Sequence, residues 1–333
     1  MNRFLIVRLG SLGDVVHGIP VAAALRAEYP NARIDWMVDP RYIELLNLVT
    51  CLDRRIPVDP RGIYRGGRGR FRQTLAELRR VRYDAVIDLQ GLLKSAVLAR
   101  LVRAQQTIGF PREHLREPLA RFFYTHTPVP ESTHVVHKNL ALLAPLQIHD
   151  RRLSFPIEIP RTPTVEAVIE RFGGYALINP GAAWPNKRWP PDRFGQLARG
   201  IFEQFGMRSV VLWGPGEQPL AQAVAAAAGG AADVSPPTSI PDLVGLARGA
   251  QLMISGDTGP LHVAGAVGTP IVALFGPTYA ERNGPWGMFD ITVSRTEQCI
   301  CHYQRQCRRD TPCIEDIRVD DVLAAVRRRM GLH

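Results

Sequence analysis

Several segments of the chain are continuous apolar runs rather than alternating ones. Residues 4–7 read Phe-Leu-Ile-Val, and similar runs follow near residues 175 and 271. Unbroken runs of this length indicate strands buried on both faces, as in a parallel sheet covered by helices. We therefore predict strands over residues 3–9, 33–38, 83–89, 175–179, 209–213, 252–255 and 270–275.

Helical segments alternate with these strands. We predict helices over residues 15–28, after Gln90-Gly91, after Pro191, and over 217–228, 258–267 and 319–330. Residues 147–163 contain three prolines with little periodicity and form the best linker. The sequence thus predicts an α/β fold of two Rossmann-like domains facing across a cleft. The predicted bounds are 1–155, 164–315 and a C-terminal helix at 317–333 that packs back on the N-terminal domain.

The 333 residues suit two domains, and 46% hydrophobic with 22% charged residues is typical of a globular protein. No uncharged apolar stretch approaches the ~18 residues of a membrane span. The apolar run 15–25 directly follows Asp14, and Arg8 interrupts the run before it, which is unlike a signal peptide. We expect a cytoplasmic protein.

The positive charge is concentrated in one segment. The net charge is +10, and residues 53–82 contribute +7 of it through ten arginines against three acids. Such a segment favours an anionic partner, with a solvated helix face as the plain alternative. The glycine-rich stretch 58–70 within it predicts a mobile loop.

Two turns follow predicted strands at the edge where open α/β sheets bind ligands. The first is Gly10-Ser11-Leu12-Gly13-Asp14, where Asp14 is either a catalytic carboxylate or a helix cap. The second is Gly256-Asp257-Thr258-Gly259-Pro260-Leu261-His262, where Thr258 and Gly259 open a helix and would offer N–H groups to an anion. An acid beside an anion site is unusual unless it binds hydroxyls or orients another donor. The alternative is again a simple cap.

The loop 180–190 carries two cations, two tryptophans and three prolines. Lys187 is one of only three lysines in a chain that otherwise uses arginine, which favours a specific role for its point charge. Glu217 opens a helix on the same predicted edge and either accepts bonds from a ribose or caps that helix.

Four of the five cysteines, Cys299, Cys301, Cys307 and Cys313, fall within fifteen residues. A cytoplasmic chain makes structural disulfides unfavourable. The spacing C-x-C-x5-C-x5-C differs from the usual C-x2-4-C pairs of zinc sites. A metal site and a packed cluster of reduced thiols both stay open.

Five motifs, in order, resemble glycosyltransferase family 9, and within it the heptosyltransferase I subfamily. They are Gly13-Asp14-Val15-Val16-His17 within residues 6–20, Asp88-Leu89-Gln90-Gly91-Leu92-Leu93-Lys94-Ser95-Ala96, Arg116-Glu117-Pro118-Leu119-Ala120, Lys187-Arg188-Trp189-Pro190 and Asp257-Thr258-Gly259-Pro260-Leu261-His262. The resemblance covers residues 4–278.

The resemblance implies a GT-B fold and inverting, metal-independent transfer of heptose from ADP-heptose to a Kdo residue of the lipid A core. It implies Asp14 as general base and Lys187 on the donor phosphates. The implied donor-binding residues are Gly181, Ala182, Lys187, Glu217, Asp257, Thr258, Gly259 and His262. The implied acceptor-binding residues are Ser11, Gly13, Arg61, Arg65, Arg68, Lys94, Arg112 and Arg116. No cofactor or metal is expected, and the acceptor implies peripheral contact with an anionic membrane at the inner face of the cytoplasmic membrane.

Two features depart from the subfamily. Ala182 and Ala183 stand where threonines are usual, so donor contacts are lost, and the cysteine segment is untypical. A family 9 transferase with another ADP-sugar or acceptor, and a GT-B nucleotide-sugar epimerase, are therefore alternatives. A nucleic-acid binder is disfavoured because aromatic residues do not interleave with the basic ones. A redox or metal sensor built on the cysteines is a further class.

Overall fold

The computed structural model describes residues 1–59 and 68–331. The chain divides into two compact units, Met1–Glu158 and Ile159–His333. The boundary lies inside the proline-containing segment 147–163.

The N-terminal unit is built on a parallel sheet of five strands in the order β3-β2-β1-β4-β5. The strands are β1 (Arg3–Val7), β2 (Arg33–Val38), β3 (Arg54–Pro57), β4 (Tyr83–Asp88) and β5 (Ala104–Ile108). The helices of this unit are α1 (Leu12–Val16), α2 (Ile19–Glu28), α3 (Ile43–Asn47), α4 (Arg68–Arg80), α5 (Leu93–Leu101) and α6 (Val135–Ala141).

The central strand β1 is buried because both of its faces are covered. Phe4 through Val7 are completely inaccessible to solvent, and β1 pairs in parallel with β2 on one side and β4 on the other. The order of the strands reverses between β1 and β4. Ligands of open α/β sheets bind at the carboxyl edge of such a switch point, and Asp14 lies just beyond the end of β1.

The C-terminal unit repeats this architecture with six parallel strands in the order β11-β10-β9-β6-β7-β8. The strands are β6 (Tyr175–Asn179), β7 (Arg208–Val211), β8 (Ala232–Val234), β9 (Leu252–Gly256), β10 (Ile271–Phe275) and β11 (Ile291–Ser294). The helices are α7 (Pro163–Phe172), α8 (Pro191–Phe205), α9 (Gln218–Ala227), α10 (Ile240–Gly249), α11 (Gly259–Ala266), α12 (Ala280–Asn283) and α13 (Val319–Arg329).

The switch point of the second sheet lies between β6 and β9, which are neighbours in the sheet although two strands separate them in sequence. The loop after β6 carries Lys187, and the turn after β9 carries Asp257. Two separate sequence segments are therefore delivered to one edge of the sheet. The two parallel sheets, each with a Rossmann-type strand order, are those of the GT-B class of fold.

The C-terminal helix packs against elements of the second unit. Val322, Ala325 and Val326 of α13 are buried in one core with Leu197 and Ile201 of α8. The physical reason is the apolar stripe at helical spacing along α13, which covers the α8 side of the sheet.

The sequence-based elements need three corrections. The helix predicted over 15–28 is interrupted at His17-Gly18, and Pro20 stands in the first turn of α2. α4 begins at Arg68, inside the segment predicted as a loop over 58–70, and residues 60–67 of that segment lie outside the described residues. The elements that were not predicted are strands β3, β5, β8 and β11 and helices α3, α4, α6, α7, α10 and α12.

Among the described residues, no helix is both long enough and apolar enough to cross a membrane.

Candidate active site

Asp14 lies in the short helix α1, beyond the end of the central strand of the first sheet. Its Oδ2 accepts hydrogen bonds from the Ser11 N–H at 2.8 Å and from the Ser11 hydroxyl at 2.9 Å. Its Oδ1 forms an ion pair with the guanidinium of Arg8. The carboxylate therefore caps the start of α1, yet the Asp14 side chain is still 36% exposed to solvent. The cap and the catalytic hypothesis are compatible.

The contacts of Asp14 keep it charged. Burial favours the neutral acid, but the Arg8 guanidinium and the Ser11 donors outweigh that effect and hold the pKa of Asp14 below its ordinary value. A carboxylate in this state is ready to accept a proton at neutral pH. It is also oriented, because three donors fix its two oxygens.

Arg8 is thus a testable partner of Asp14, and it had no role in the sequence-based prediction. Arg8→Gln removes the charge that lowers the pKa of Asp14, so that pKa should rise. Activity that depends on the ionised carboxylate should then be lost at a higher pH than in the wild type. The acid limb of the kcat/KM profile against pH reports this shift. An acid limb at the wild-type position would show that Arg8 does not set the pKa on which activity depends.

Three of the predicted acceptor-binding cations are exposed near the carboxyl edge of the first sheet. Lys94 lies in the first turn of α5, and Arg112 and Arg116 follow β5. Gly13 is buried within α1, and Ser11 is the exposed residue that binds Asp14. Arg61 and Arg65 lie outside the described residues; Arg68 starts α4, and its side chain is likewise outside the description.

The turn before α5 is fixed by a buried carboxylate. Asp88 accepts hydrogen bonds from the Tyr124 hydroxyl at 2.8 Å, the Ser95 hydroxyl at 2.8 Å and the Gln90 N–H at 2.9 Å. Burial raises the pKa of Asp88. The side chain of Gln90 in turn accepts the Leu9 N–H at 2.9 Å. This part of the matched motif therefore shapes the turns around Asp14 and Lys94.

In the second unit, Lys187 and Asp257 form an ion pair across the switch point. The Lys187 Nζ lies 2.6 Å from the Asp257 Oδ2, and the two side chains are 13% and 6% exposed. The same ammonium lies 4.6 Å from the centre of the Trp184 ring. Lys187 is thereby held at a defined point, instead of moving freely on its four-carbon stem.

Three further side chains fix Asp257. His262 Nε2 lies 3.3 Å from Oδ1, and Oδ2 accepts from the Thr278 hydroxyl at 2.9 Å and the Asn283 amide at 3.3 Å. Burial would raise the pKa of Asp257, but His262 and Lys187 outweigh it and hold that pKa far below its ordinary value. Asp257 orients the Lys187 ammonium, which explains why an acid lies beside the predicted anion site.

A polar network also fixes the start of α11. The Asn179 amide donates at 3.1 Å to three oxygens, those of the Gly181 carbonyl and the Ser255 and Thr258 hydroxyls. Thr258 is the N-cap residue of α11, and Gly259 is its first residue. The N-terminus of a helix attracts anions through its N–H groups and its dipole. The cation of Lys187 and this helix start belong to the same edge of the sheet.

Glu217 lies beside the loop that contains Gly181 and Ala182. Its Oε2 accepts the Gly214 N–H at 3.2 Å, and its Oε1 lies 3.7 Å from Arg188 Nη2. A Cβ atom on Gly181 would lie only 2.0 Å from the Glu217 carboxylate, so the close approach requires glycine. The Arg188 Nε donates to the Ala182 carbonyl at 2.8 Å. The structure thus brings the predicted donor-binding residues Gly181, Ala182 and Glu217 together.

Sequence reasoning missed several members of these clusters. Asn179, Thr278, Asn283 and Trp184 were not predicted as partners, and Arg188 was quoted in a motif without a role. The only sequence signals were the position of Asn179 at the end of a buried strand and the proximity of Trp184 and Arg188 to Lys187. Thr278 and Asn283 carry no such signal, because they reach Asp257 only through the fold.

The arrangement supports two kinds of chemistry. The first unit presents an ionised, oriented carboxylate that can accept a proton from a hydroxyl. The second presents a fixed ammonium and a helix N-terminus, which suit a diphosphate whose negative charge grows as a bond breaks. The epimerase alternative would need only the second feature.

Comparisons with known proteins agree with this chemistry. The family model described as Glycosyltransferase family 9 (heptosyltransferase) matches residues 70–312. Lipopolysaccharide heptosyltransferase 1 of Pseudomonas aeruginosa is 31% identical, with 96% of this chain and 91% of the relative aligned. The enzyme of the same name from Escherichia coli K12 is 28% identical, with 91% and 94% aligned.

A solved structure of the E. coli heptosyltransferase WaaC with ADP-2-deoxy-2-fluoro heptose superimposes with a TM-score of 0.75 at 25% identity, covering 98% of this chain and 99% of that one. The family resemblance drawn from the motifs is confirmed, and the epimerase alternative is set aside. The chain belongs to glycosyltransferase family 9 and is a heptosyl-transferring enzyme of lipopolysaccharide core biosynthesis.

Proposed function

We propose that this enzyme transfers heptose from ADP-heptose to a Kdo hydroxyl of the lipid A inner core with inversion at the anomeric carbon. The observation that carries the proposal is the Lys187–Asp257 ion pair at the switch point of the C-terminal sheet. A lysine held in this way is suited to a diphosphate, and the ionised Asp14 of the other unit is suited to a sugar hydroxyl.

On the donor side, the bond between the anomeric carbon and the diphosphate oxygen breaks, and ADP leaves with the electron pair. The developing negative charge is met by the Lys187 ammonium and by the N-terminus of α11. Asp257 and Trp184 hold the ammonium in place before the substrate arrives. Preorganisation of this kind lowers the barrier because little rearrangement is needed as charge develops.

On the acceptor side, the Kdo hydroxyl gives its proton to Asp14 while its oxygen attacks the anomeric carbon. A single displacement by this oxygen inverts the configuration, so one carboxylate suffices where a retaining hydrolase needs a nucleophile as well. Lys94, Arg112 and Arg116 would bind carboxylates and phosphates of the acceptor.

The relatives support the choice of sugar. The similar E. coli structure is a complex with ADP-2-deoxy-2-fluoro heptose, and the two similar proteins are named lipopolysaccharide heptosyltransferase 1. Ala182 is buried and Ala183 exposed in the donor loop, so neither offers the hydroxyl contact of the usual threonines. Donor recognition here would rely more on Lys187, Glu217 and the α11 start.

The test is an assay with purified enzyme, ADP-heptose and Kdo₂-lipid A, with the lipid product analysed by mass spectrometry. We expect a product heavier by one heptosyl residue, and far less product with ADP-glucose or ADP-mannose. Preferential transfer from either hexose donor, or transfer to a lipid that already carries heptose but not to Kdo₂-lipid A, would refute the proposal.

An exposed apolar and basic patch supports peripheral contact with an anionic membrane. Phe122 and Leu119 are 79% and 62% exposed on a short 3-10 helix, Pro118–Phe123, that contacts α5. The Leu93 N–H, at the start of α5, donates to Glu117 at 2.6 Å, so Leu93 and Lys94 lie beside this helix. Apolar side chains among cations are the combination that binds anionic bilayer surfaces.

We expect the variant Leu119→Ser/Phe122→Ser to bind less well to phosphatidylglycerol vesicles, because its apolar contact with the bilayer is lost. Co-sedimentation with these vesicles and with neutral phosphatidylcholine vesicles measures the effect. Phe289→Ser, which removes a 71% exposed aromatic residue from the other unit, is the matched control. Wild-type co-sedimentation of the double variant would contradict the proposed patch.

A further inference from the structure

The four clustered cysteines of the sequence are gathered into one group in the C-terminal unit. The Sγ atoms of Cys299 and Cys301 are 3.6 Å apart, and those of Cys301 and Cys307 are 3.3 Å apart. All four cysteines are free of disulfides. Cys299, Cys301 and Cys313 are almost fully buried and form a separate small core, against which Cys307 packs.

The loop around this group has no regular secondary structure of its own. Between two short 3-10 helices, Thr296–Gln298 and Cys313–Asp316, the described chain forms neither helix nor strand. A loop of this length without secondary structure is uncommon in a compact domain and is usually functional when it is ordered. Its interior cluster consists of the four sulfur side chains.

The sulfur separations approach those of a metal thiolate site. A tetrahedral ion with bonds of about 2.3 Å to sulfur places its ligand sulfurs about 3.8 Å apart. The Cys301 N–H also donates to Cys299 Sγ at 3.3 Å, and N–H donors of this kind orient thiolate ligands. In the structure the four thiol groups contact each other directly. Among the described residues, no group of His, Cys, Asp or Glu side chains is already arranged around a position for a metal ion. The sulfur atoms must therefore move slightly apart to bind an ion.

We propose that Cys299, Cys301, Cys307 and Cys313 bind one divalent transition-metal ion of the zinc class through four thiolates. Binding releases the four thiol protons to solvent and involves no oxidation or reduction. A dication with four thiolates has a net charge of −2, and the same loop carries the cations Arg305 and Arg308. A site of four sulfur ligands without an open position is structural rather than catalytic.

The alternative of reactive, redox-sensing thiols fits less well. Cys299, Cys301 and Cys313 are at most 5% exposed, so an oxidant in solution has little access to their sulfur atoms. Sensor cysteines are instead exposed and have a low pKa.

The proposed ion would brace the donor site. The Asn186 amide donates to the Gln304 carbonyl at 2.8 Å and lies 4.0 Å from Cys301 Sγ, and Asn186 directly precedes Lys187. The Tyr303 N–H donates to the Pro277 carbonyl at 3.0 Å, and Pro277 directly precedes Thr278, a partner of Asp257. The metal site itself does not depend on the proposed function. Its influence on donor binding rests on the proposed function.

The test measures the metal directly. Protein purified under reducing conditions is analysed for zinc and iron by mass spectrometry, then freed of metal and titrated with Co²⁺. We expect about one ion per chain, and a cobalt spectrum with thiolate charge-transfer and tetrahedral d–d bands. Cys307→Ser should weaken both, and Cys307→His, which keeps a metal ligand, should restore binding with an altered spectrum. Cys51→Ser, at the lone buried cysteine of the other unit, is the control.

Reduced wild-type protein without stoichiometric metal and without a thiolate–cobalt spectrum would overturn the site, as would a Cys301–Cys307 disulfide in the freshly isolated protein. Calorimetric titration of ADP into the metal-loaded and metal-free protein tests the bracing separately. Weaker ADP binding after metal removal supports the bracing. Equal ADP affinity in the two forms overturns the bracing. The metal site itself is decided by the metal analysis and the cobalt titration.

Discussion

Replacing Asp14 by asparagine should lower kcat by about 10²–10⁴-fold, because asparagine cannot accept the proton of the attacking hydroxyl. The amide is close in size to the carboxylate and still accepts a hydrogen bond from Ser11, so α1 should keep its start. Donor affinity should change little, since the Lys187 cluster belongs to the other unit. Single-turnover transfer from ADP-heptose measures the chemical step.

A matched control exists in the same unit. Asp150 accepts hydrogen bonds from the backbone and side chain of Arg152, as Asp14 does from Ser11 and Arg8, and this pair also lowers the pKa of Asp150. Asp150 is exposed and belongs to none of the five matched motifs, so Asp150→Asn should leave kcat unchanged. Near-wild-type turnover in Asp14→Asn would end the assignment of Asp14 as the base.

Replacing Lys187 by alanine should weaken ADP binding by about 10–100-fold and slow transfer by about 10²–10³-fold. The leaving diphosphate loses its cation, and the Asp257 carboxylate is left near it without that ammonium. Both effects act on the same phosphate group, so KM for the donor should rise and kcat should fall together. Steady-state kinetics with varied ADP-heptose separates the two.

Arg171→Ala is the control for charge and for folding. It removes one cation from the same unit. This cation pairs with Asp233 at the surface, where the Arg171 side chain is 63% exposed. Such surface pairs contribute little to stability, and donor kinetics should stay at the wild-type level. Equal donor kinetics in Lys187→Ala and Arg171→Ala would place the diphosphate elsewhere.

The sequence predicted the centre of each sheet better than its edges, for a physical reason. β1 and β6 lie inside their sheets and must be apolar along their whole length, so each leaves an unbroken run. β3 (Arg54–Pro57) and β5 (Ala104–Ile108) lie at the edges and carry arginines or glutamines. A strand with one neighbour is partly exposed and needs no such run, so it resembles a loop in sequence.

The candidate site was predicted as separate residues and not as a cluster. Lys187 could be singled out because lysine is rare here, and Asp257 because it follows a buried strand. Their ion pair joins residues 70 positions apart and exists only because β6 and β9 are neighbours in the sheet. Arg8 and Thr278 were missed for the same reason, since each gains its role from a contact that the fold creates.

The central claim is that the two units divide the work, with the base on the first and the donor diphosphate on the second. Calorimetric titration of ADP into wild type, Asp14→Asn and Lys187→Ala tests it most directly. We predict wild-type affinity in Asp14→Asn and strongly reduced affinity in Lys187→Ala. Loss of ADP binding in Asp14→Asn together with unchanged binding in Lys187→Ala would contradict the account.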